Sequence, residues 1–289
     1  MSALRNPSPG ETHALTLDIE DYFHAHALAP WYPRERWPGL ESRVAANTAR
    51  LLDLLAESGA RATCFVLGWV AERHPRLVRR VVAEGHELAS HGYGHAPLGA
   101  LDRAAFRADL ERAKAILEDV SAVAVRGYRA PCFSLGPATP WAYAVLAETG
   151  HVYSSSVHPV RLSAYRSGAG PRRPHRVEGV LEIPVSTVPA GPLGNLPFAG
   201  GAWFRLLPEW WVGRALVHVA ARREGPGVFY LHPWELDPDQ PRPPGLDPLT
   251  RLRHYGGLGR VESRLRRLLR AARWDRLDRA HPALSGEAA

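Results

Sequence analysis

Short apolar runs alternate with amphipathic segments through most of this 289-residue chain. Each run has the length of a buried strand, and the segments between the runs repeat apolar residues at helical spacing. Several of these segments end at a glycine, as at Gly59 and Gly85, where helices commonly stop. The alternation continues from residue 14 to residue 232, so the sequence predicts βα units around a parallel sheet, most simply a barrel.

The same periodicity predicts where the individual elements lie. Strands are expected over residues 13–20, 62–67, 86–90, 123–128, 153–157, 181–185 and 227–232. Helices are expected over residues 41–58, 70–84, 102–119, 138–149, 209–224 and 258–279.

Polar side chains stand at or just beyond the ends of several predicted strands. These residues are Asp18, Asp21, His91, His95, Arg129 and His232. In a βα barrel the carboxyl ends of the strands form one face, and that face carries the active site. We therefore expect these side chains to lie close together.

The distribution of charge and the cysteine content argue against some classes of protein. The formal net charge is +7 and the sequence pI is about 9.8, but the excess is concentrated near the carboxyl end. A nucleic-acid-binding face would interleave basic and aromatic residues, so we expect no nucleic-acid partner. Cys64 and Cys132 stand alone in apolar contexts, which predicts buried thiols rather than a disulfide or a Cys-x-x-Cys metal site.

The two ends of the sequence bear on the cellular location that we expect for the protein. Residues 1–13 are polar and lack the apolar core of a signal peptide, and no run of eighteen apolar residues occurs. We therefore expect a cytoplasmic protein. The predicted helix 258–279 either contacts anionic lipid at the inner face of the membrane or packs on the barrel, and we favour packing. The leucines on one face of this helix are Leu265, Leu268 and Leu269, and the arginines that could contact lipid are Arg264, Arg266, Arg267, Arg270 and Arg273.

The strongest chemical signal is the segment 90–98, which contains His91 and His95. An acidic cluster at residues 18–21 lies upstream, and His232 lies downstream. Two imidazoles and one carboxylate are the ligands of an open catalytic zinc site. Crowded carboxylates repel one another unless a cation is bound. The pattern predicts a divalent metal, preferably Zn²⁺, and metal-assisted hydrolysis. If either histidine stood alone, we would interpret it as an ordinary surface or core residue.

Five motifs in order resemble those of the polysaccharide deacetylase superfamily, the carbohydrate esterases with NodB homology. The motifs are residues 16–23, 90–95, 127–131, 153–159 and 231–235. The resemblance implies a distorted (β/α)7 barrel over residues 13–240, with residues 241–289 as a helical extension packed on it. Three further segments, 196–208, 232–238 and 253–255, resemble exopolysaccharide deacetylases of exosortase (PEP-CTERM) loci.

The resemblance also implies roles for individual residues. Asp18 would be the base, His232 the acid, and Arg129 the group that orients Asp18 or a substrate oxygen. The metal ligands would be Asp21, His91 and His95, with Glu20 as the alternative acidic ligand. The residues expected to contact the saccharide are Tyr93, Pro131 and Trp234.

Two positions depart from the family pattern. The acids of the first motif are usually adjacent, whereas Ile19 and Glu20 separate Asp18 from Asp21. The fourth motif usually has an aspartate that helps to hold the arginine of the third, and Ser154 stands there in this chain. The support of Arg129 is therefore open at this point.

The function that the resemblance implies is removal of N-acetyl groups from a bacterial exopolysaccharide or its lipid-linked precursor. The expected partner is an N-acetylated poly- or oligosaccharide. Two alternatives stay open: a hydrolase of a small cyclic amide or imide on the same fold, and a non-catalytic carbohydrate-binding relative. The sequence gives no indication of the oligomeric state.

Overall fold

A mostly parallel sheet forms the centre of the molecule. The structure is a computed structural model that describes residues 12–160, 170–221 and 225–284. In chain order the described strands are β1 (Thr12–Ile19), β2 (Thr63–Val66), β3 (Glu87–Ser90), β4 (Gly127–Tyr128), β5 (Tyr153–Ser154), β6 (His175–Val177), β7 (Val180–Glu182), β8 (Thr187–Pro189), β9 (Asn195–Pro197), β10 (Val228–Leu231) and β11 (Arg273–Asp275).

Seven strands pair in parallel in the order β10-β1-β2-β3-β4-β5-β7. The chain just after β7 returns to β10, because Ser186 N–H donates to Val228 O (3.2 Å) and Val228 N–H donates to Ser186 Oγ (2.8 Å). These contacts close the sheet into a distorted barrel, and the predicted α/β barrel is confirmed. The strand β6 runs antiparallel to β7, and β8 with β9 forms a separate hairpin.

Helices cover the outside of the sheet. In chain order they are α1 (Val44–Ser58), α2 (Gly68–Arg73), α3 (Pro75–Ala83), α4 (Arg103–Ser121), α5 (Trp141–Glu148), α6 (Gly201–Leu206), α7 (Glu209–Ala221), α8 (Pro248–Tyr255), α9 (Val261–Ala271) and α10 (Leu277–Ala280). The single helix predicted over residues 70–84 is two, because a proline disfavours helical backbone at the preceding residue and His74 leaves the helical region (φ −126°, ψ 56°). None of the described helices has the length and apolarity needed to cross a bilayer.

The two faces of β1 show how the barrel places its chemistry. Leu15, Leu17 and Ile19 join the large apolar cluster beneath the helices. Side chains alternate along a strand, so Thr16 and Asp18 turn to the barrel interior instead. The first acid of the site is therefore a strand residue whose direction is fixed by the pleat.

The carboxyl-terminal segment is part of the same sheet. The helix predicted over residues 258–279 was wrong in extent, because Ala272 is extended (φ −150°, ψ 170°) and ends α9. The chain then forms β11, which pairs in parallel with the first residues of β1. Residues 222–224 and 285–289, which belong to a predicted helix and to the predicted extension, lie outside the described residues.

The helix α9 packs on the barrel through its leucines and uses most of its arginines within the chain. Leu265, Leu268 and Leu269 are buried. Arg266 forms ion pairs with Glu57 and Glu262, and Arg267 forms one with Glu209; Arg264 donates to the backbone carbonyls of Arg205 and Leu207. This arrangement matches the packing alternative for the basic segment and leaves few of its charges for an external partner.

Candidate metal centre and active site

Three potential metal ligands meet at the carboxyl ends of β1 and β3. Ligand atoms of Glu20, His91 and His95 all lie within 4.8 Å of one another. Glu20 Oε2 is 2.7 Å from His95 Nε2 and 3.9 Å from His91 Nε2. Although Glu20 Oε2 is buried and this close to an imidazole, it has no hydrogen-bond partner of suitable geometry. A buried carboxylate oxygen without a partner fits a metal ligand, and two imidazoles with one carboxylate suit zinc.

His91 is held in the tautomer that a metal requires. Its Nδ1 lies 2.8 Å from the carbonyl oxygen of Arg129, so Nδ1–H donates to that carbonyl. The lone pair of Nε2 then faces Glu20 and His95. A histidine that binds a metal through one ring nitrogen usually donates a hydrogen bond from the other, and that hydrogen bond orients the ring.

The loop between the two histidines is shaped by one carboxylate. Asp109, on α4, accepts hydrogen bonds from the backbone N–H groups of Tyr93 (2.8 Å) and Gly94 (3.1 Å). Gly92 has φ +73°, and a Cβ there would lie 2.6 Å from Asp109 Oδ2. The glycine thus lets the chain turn tightly around Asp109, and this turn brings His95 back toward His91.

The structure corrects the preferred acidic ligand, because it does not bring Asp21 to the histidines. The carboxylate of Asp21 accepts hydrogen bonds from Ser42 Oγ (2.8 Å) and from the N–H groups of Tyr22 (3.0 Å), Arg43 (2.8 Å) and Val44 (3.1 Å). It fixes the start of α1, and burial raises its pKa. The residue that continues the inward side of β1 after Asp18 is Glu20, the alternative ligand.

The charge of Glu20 is stabilised by the imidazoles around it. Burial alone raises the pKa of this carboxyl, but the neighbouring His95, His232 and His91 outweigh burial and hold the pKa well below its usual range. The indole N–H of Trp234 donates to its other oxygen, Oε1, at 3.1 Å. Glu20 is therefore an anion with one oxygen engaged and one directed at the two histidines.

Asp18 and Arg129 form a buried ion pair beside this cluster. Arg129 Nη1 donates to Asp18 Oδ1 and to Thr16 Oγ1, both at 2.8 Å. Its remaining donors reach Ser155, with Nε to the backbone oxygen at 2.9 Å and Nη2 to Oγ at 2.8 Å. The hydroxyl of Ser154 donates instead to Ser156. Ser155 and Thr16 therefore hold Arg129 in a chain that lacks the usual aspartate of the fourth motif.

His232 faces the same cavity from the end of β10. Its Nε2 lies 3.8 Å from Asp18 Oδ2 and 3.7 Å from Glu20 Oε1, while its Nδ1–H donates to Glu235 Oε1 at 2.9 Å. Burial lowers the pKa of the imidazole, but Glu235 and the other two carboxylates together raise it to about 9.

Glu235 is in turn held by a buried arginine from α6. Arg205 Nε donates to Glu235 Oε2 at 2.7 Å. Its other nitrogens donate to the backbone carbonyls of Arg253, His254 and Gly256, at the end of α8, at 2.7–2.8 Å. The orientation of His232 thus depends on a chain of contacts that reaches the carboxyl-terminal part of the protein.

The floor of a cavity of about 330 Å³ is formed by Asp18, Glu20, His91, His95 and His232. Besides the floor, α6 and α8 supply one wall and the 3₁₀ turn after Arg129 another. The lining residues are Asp18, Glu20, Ala25, His26, Ala27, His91, His95, Cys132, Phe133, Gly201, Ala202, Arg205, His232, Trp234, Thr250, Arg253 and His254.

The three residues predicted to contact the saccharide have different positions. Trp234 lines the cavity and is stacked between His232 (5.0 Å, 22°) and His254 (4.4 Å, 13°). Tyr93 does not line the cavity, because its hydroxyl donates to Glu72 Oε2 (3.0 Å) and its ring packs under the guanidinium of Arg112 (3.5 Å). Pro131 is buried, and the next two residues reach the cavity instead.

Sequence reasoning missed Arg205 and the α8 residues of the wall. Arg205 lies in one of the segments singled out by resemblance, but one arginine among so many carries no signal of burial. A buried glutamate such as Glu235 needs a positively charged partner. The sequence can suggest that this partner is an arginine, but it does not show which arginine.

Comparisons with known proteins match two regions of the chain. Residues 36–151 match the family model described as polysaccharide deacetylase, and residues 155–281 match a domain of unknown function (DUF3473). A chitooligosaccharide deacetylase of Rhizobium leguminosarum bv. trifolii is 45% identical over 83 residues, which are 28% of this chain and 39% of that protein. A peptidoglycan-N-acetylglucosamine deacetylase of Bacillus cereus is 32% identical over 84 residues, 29% of this chain and 30% of that protein.

Solved structures match nearly the whole chain, and one of them illustrates the likeness of fold. A protein of Mycobacterium smegmatis described as a putative polysaccharide deacetylase superposes with a TM-score of 0.58 at 22% identity, over 98% of this chain and 96% of that one. This likeness shows the fold, and the family match over residues 36–151 confirms the resemblance to polysaccharide deacetylases seen in the motifs. The aligned regions span less than half the length of the two curated relatives described above.

Proposed function

We propose that this protein is a metal-dependent hydrolase that removes N-acetyl groups from the amino sugars of an oligo- or polysaccharide. One observation carries the proposal: an arginine-bound carboxylate, Asp18, and an imidazole, His232, face each other at 3.8 Å beside the Glu20, His91 and His95 cluster. A base, an acid and a metal-ligand set in one cavity are the groups that metal-assisted amide hydrolysis uses.

Glu20, His91 and His95 would hold a divalent metal ion, and Zn²⁺ suits this donor set best. When bound, the ion would act as a Lewis acid toward the acetyl carbonyl and make a water molecule more acidic. The remaining chemistry belongs to the side chains around the cluster.

In the proposed reaction, Asp18 accepts a proton from the attacking water. Arg129 binds Oδ1, so Oδ2 is the oxygen that faces His232 across the cavity. The guanidinium also fixes the plane of the carboxylate, which removes a rotation that the reaction would otherwise have to restrict.

In the proposed reaction, His232 donates a proton to the nitrogen of the departing amino sugar. Glu235 binds Nδ1–H, so Nε2 is the nitrogen directed into the cavity. An amine is a poor leaving group unless it is protonated as the C–N bond breaks, which is the role of a general acid.

For the substrate, we propose a bacterial exopolysaccharide or its lipid-linked precursor. The three segments that resemble the exopolysaccharide subfamily meet at one point, where Arg205 bonds Glu235 and the carbonyl of Arg253. Relatives named for chitooligosaccharides and peptidoglycan N-acetylglucosamine support an N-acetylhexosamine unit.

Metal content and acetate release test the proposal together. We expect about one zinc per chain in the wild type and acetate release from a soluble N-acetylglucosamine tetramer. Asp18→Asn should keep the metal and lose the activity, whereas His91→Ala should lose both. The half-exposed His175 on β6 offers a matched control, and His175→Ala should change neither.

The alternatives predict other results in the same assays. Metal with no acetate, but with ring opening of a cyclic imide such as succinimide, would identify the small-amide hydrolase. Neither metal nor any hydrolysis, with tetramer binding retained, would identify a carbohydrate-binding relative.

A further inference from the structure

The outer side of α8 exposes apolar side chains to solvent. Leu249 is 63% exposed and Leu252 is 54% exposed. Leu206, at the end of α6, is 39% exposed. It lies beside Leu252, because a Cβ built on Gly256 would be 2.9 Å from the side chain of Leu206 and 3.1 Å from that of Leu252. Among the described residues six large apolar side chains are clearly exposed, and three of them lie here, so the apolar exposure is concentrated at this place.

Positive charge accompanies these leucines. Arg251 and Arg253 are exposed, and neither side chain forms a hydrogen bond or ion pair with the described residues. Residues 248–260 contain no acid, and the preceding Asp247 caps α8 by accepting from Thr250 N–H at 2.9 Å. We call the leucines Leu206, Leu249 and Leu252 with Arg251 and Arg253 the α8 face.

The α8 face borders the cavity. Thr250 and Arg253, on the same helix as the exposed leucines, line the cavity whose floor is formed by Asp18 and the metal-ligand cluster. Whatever binds to the outer side of α8 is therefore held next to one wall of this cavity.

We propose that the α8 face docks the protein on an anionic lipid bilayer. Exposed leucines beside unpaired arginines are the composition with which peripheral proteins bind such surfaces, the apolar groups entering the interface and the cations meeting lipid phosphates. The inference deepens the proposed function, since it places the cavity where a saccharide on a lipid carrier would be presented.

A second copy of the chain fits this face less well. Stable dimers bury on the order of 1,600 Å² in total, and three leucines supply a small part of that. A symmetric contact would also bring Arg251 and Arg253 of both copies together without an acid between them.

Vesicle co-sedimentation tests the proposal. We expect the full chain to bind vesicles of phosphatidylcholine with about 30% phosphatidylglycerol and to bind pure phosphatidylcholine much more weakly. The double variant Leu249→Ser/Leu252→Ser should bind the anionic vesicles roughly tenfold more weakly, and Arg251→Gln should weaken only the binding that depends on phosphatidylglycerol. Leu193→Ser and Arg270→Gln, exposed positions on other elements, are matched controls that should bind as the wild type does.

Several results would overturn it: no binding of the wild type, binding unchanged in the leucine variant, or binding lost in Arg270→Gln but not in Arg251→Gln. Self-association that disappears in the leucine variant would assign the face to a second copy instead. Acetate release from the soluble tetramer should be unchanged in Leu249→Ser/Leu252→Ser. Vesicle binding without acetate release by the wild type would therefore count against the proposed function and leave the docking intact.

Discussion

At the scale of single residues, the direction of β1 decides which acid joins the histidines. Asp18 and Glu20 are two positions apart and share the inward side, whereas Asp21 points away and fixes the start of α1. From the sequence, Asp21 is the preferred acidic ligand and Glu20 the alternative, because the acids of the first motif are spaced differently from those of the family. Their separate roles follow from the pleat, which a motif does not express.

Paired substitutions test this assignment. Glu20→Gln should reduce metal affinity by at least about tenfold, because it removes the anionic ligand. Asp21→Asn should keep the metal but lose roughly 1–3 kcal/mol of unfolding free energy, because one amide oxygen cannot accept all the donors that the carboxylate accepts. Elemental analysis and thermal unfolding measure the two effects. Metal loss in Asp21→Asn, with a fully loaded Glu20→Gln, would reverse the assignment.

At the scale of elements, the α6–α8 wall acts on the proton donor. Glu235→Gln should lower kcat for the N-acetylglucosamine tetramer by about 10- to 100-fold, because His232 loses its ionic partner and its fixed orientation. Activity on 4-nitrophenyl acetate should fall much less, since nitrophenolate leaves without a proton. Arg205→Lys, which keeps the charge opposite Glu235, should recover part of the tetramer activity that Arg205→Met loses. An equal loss on both substrates would show a purely structural role for the pair.

Elements differ in how readily the sequence reveals them. The strand that contains Asp18 and the strands that precede His91 and His232 were predicted because runs of strand length alternate with segments of helical periodicity. The strands β6, β8, β9 and β11 have three residues each, which is too few to show an alternating apolar pattern. Their formation depends on the strands with which they pair. The same limit applies to the site: strand-end residues could be predicted, whereas Arg205 and the α8 wall arise from contacts between segments far apart in the chain.

Tyr93 shows where a motif misleads. It lies between two histidines that reach the metal site, and its place in the motif suggested contact with substrate. The turn around Asp109 instead sends its ring under Arg112 and its hydroxyl to Glu72. The direction of one side chain in a tight loop is set by local backbone geometry rather than by residue type.

At the scale of the whole molecule, a buried carboxyl couples stability to pH. Glu87 accepts hydrogen bonds from Thr63 and Tyr153 in the sheet and from Asp278 N–H on α10. Burial, together with the nearby charge of Asp278, raises its pKa from 4.5 to about 7. The folded protein therefore holds this proton over a range in which the unfolded chain has lost it.

Since the folded state binds more protons between pH 4.5 and about 7, the contribution of Glu87 to stability falls as pH rises through that window. We expect the wild type to lose more unfolding free energy than Glu87→Gln between pH 5 and pH 8, with a difference of at most about 3 kcal/mol. Urea unfolding at the two pH values measures it. Identical pH dependence in both proteins would show that Glu87 is not the group responsible.

The pairing of β11 with β1 sets the order in which this protein can be completed during synthesis. The first strand of the barrel pairs with a strand that lies about 260 residues later in the chain and is therefore synthesised much later. The carbonyls that hold Arg205 also arrive late, at residues 253–256. Contacts so distant form slowly, and until they form, a nascent chain exposes an unpaired strand end. A ribosome-bound chain stopped before residue 250 should therefore contain His232, Glu235 and Arg205 and still lack the carbonyls that hold Arg205 in place.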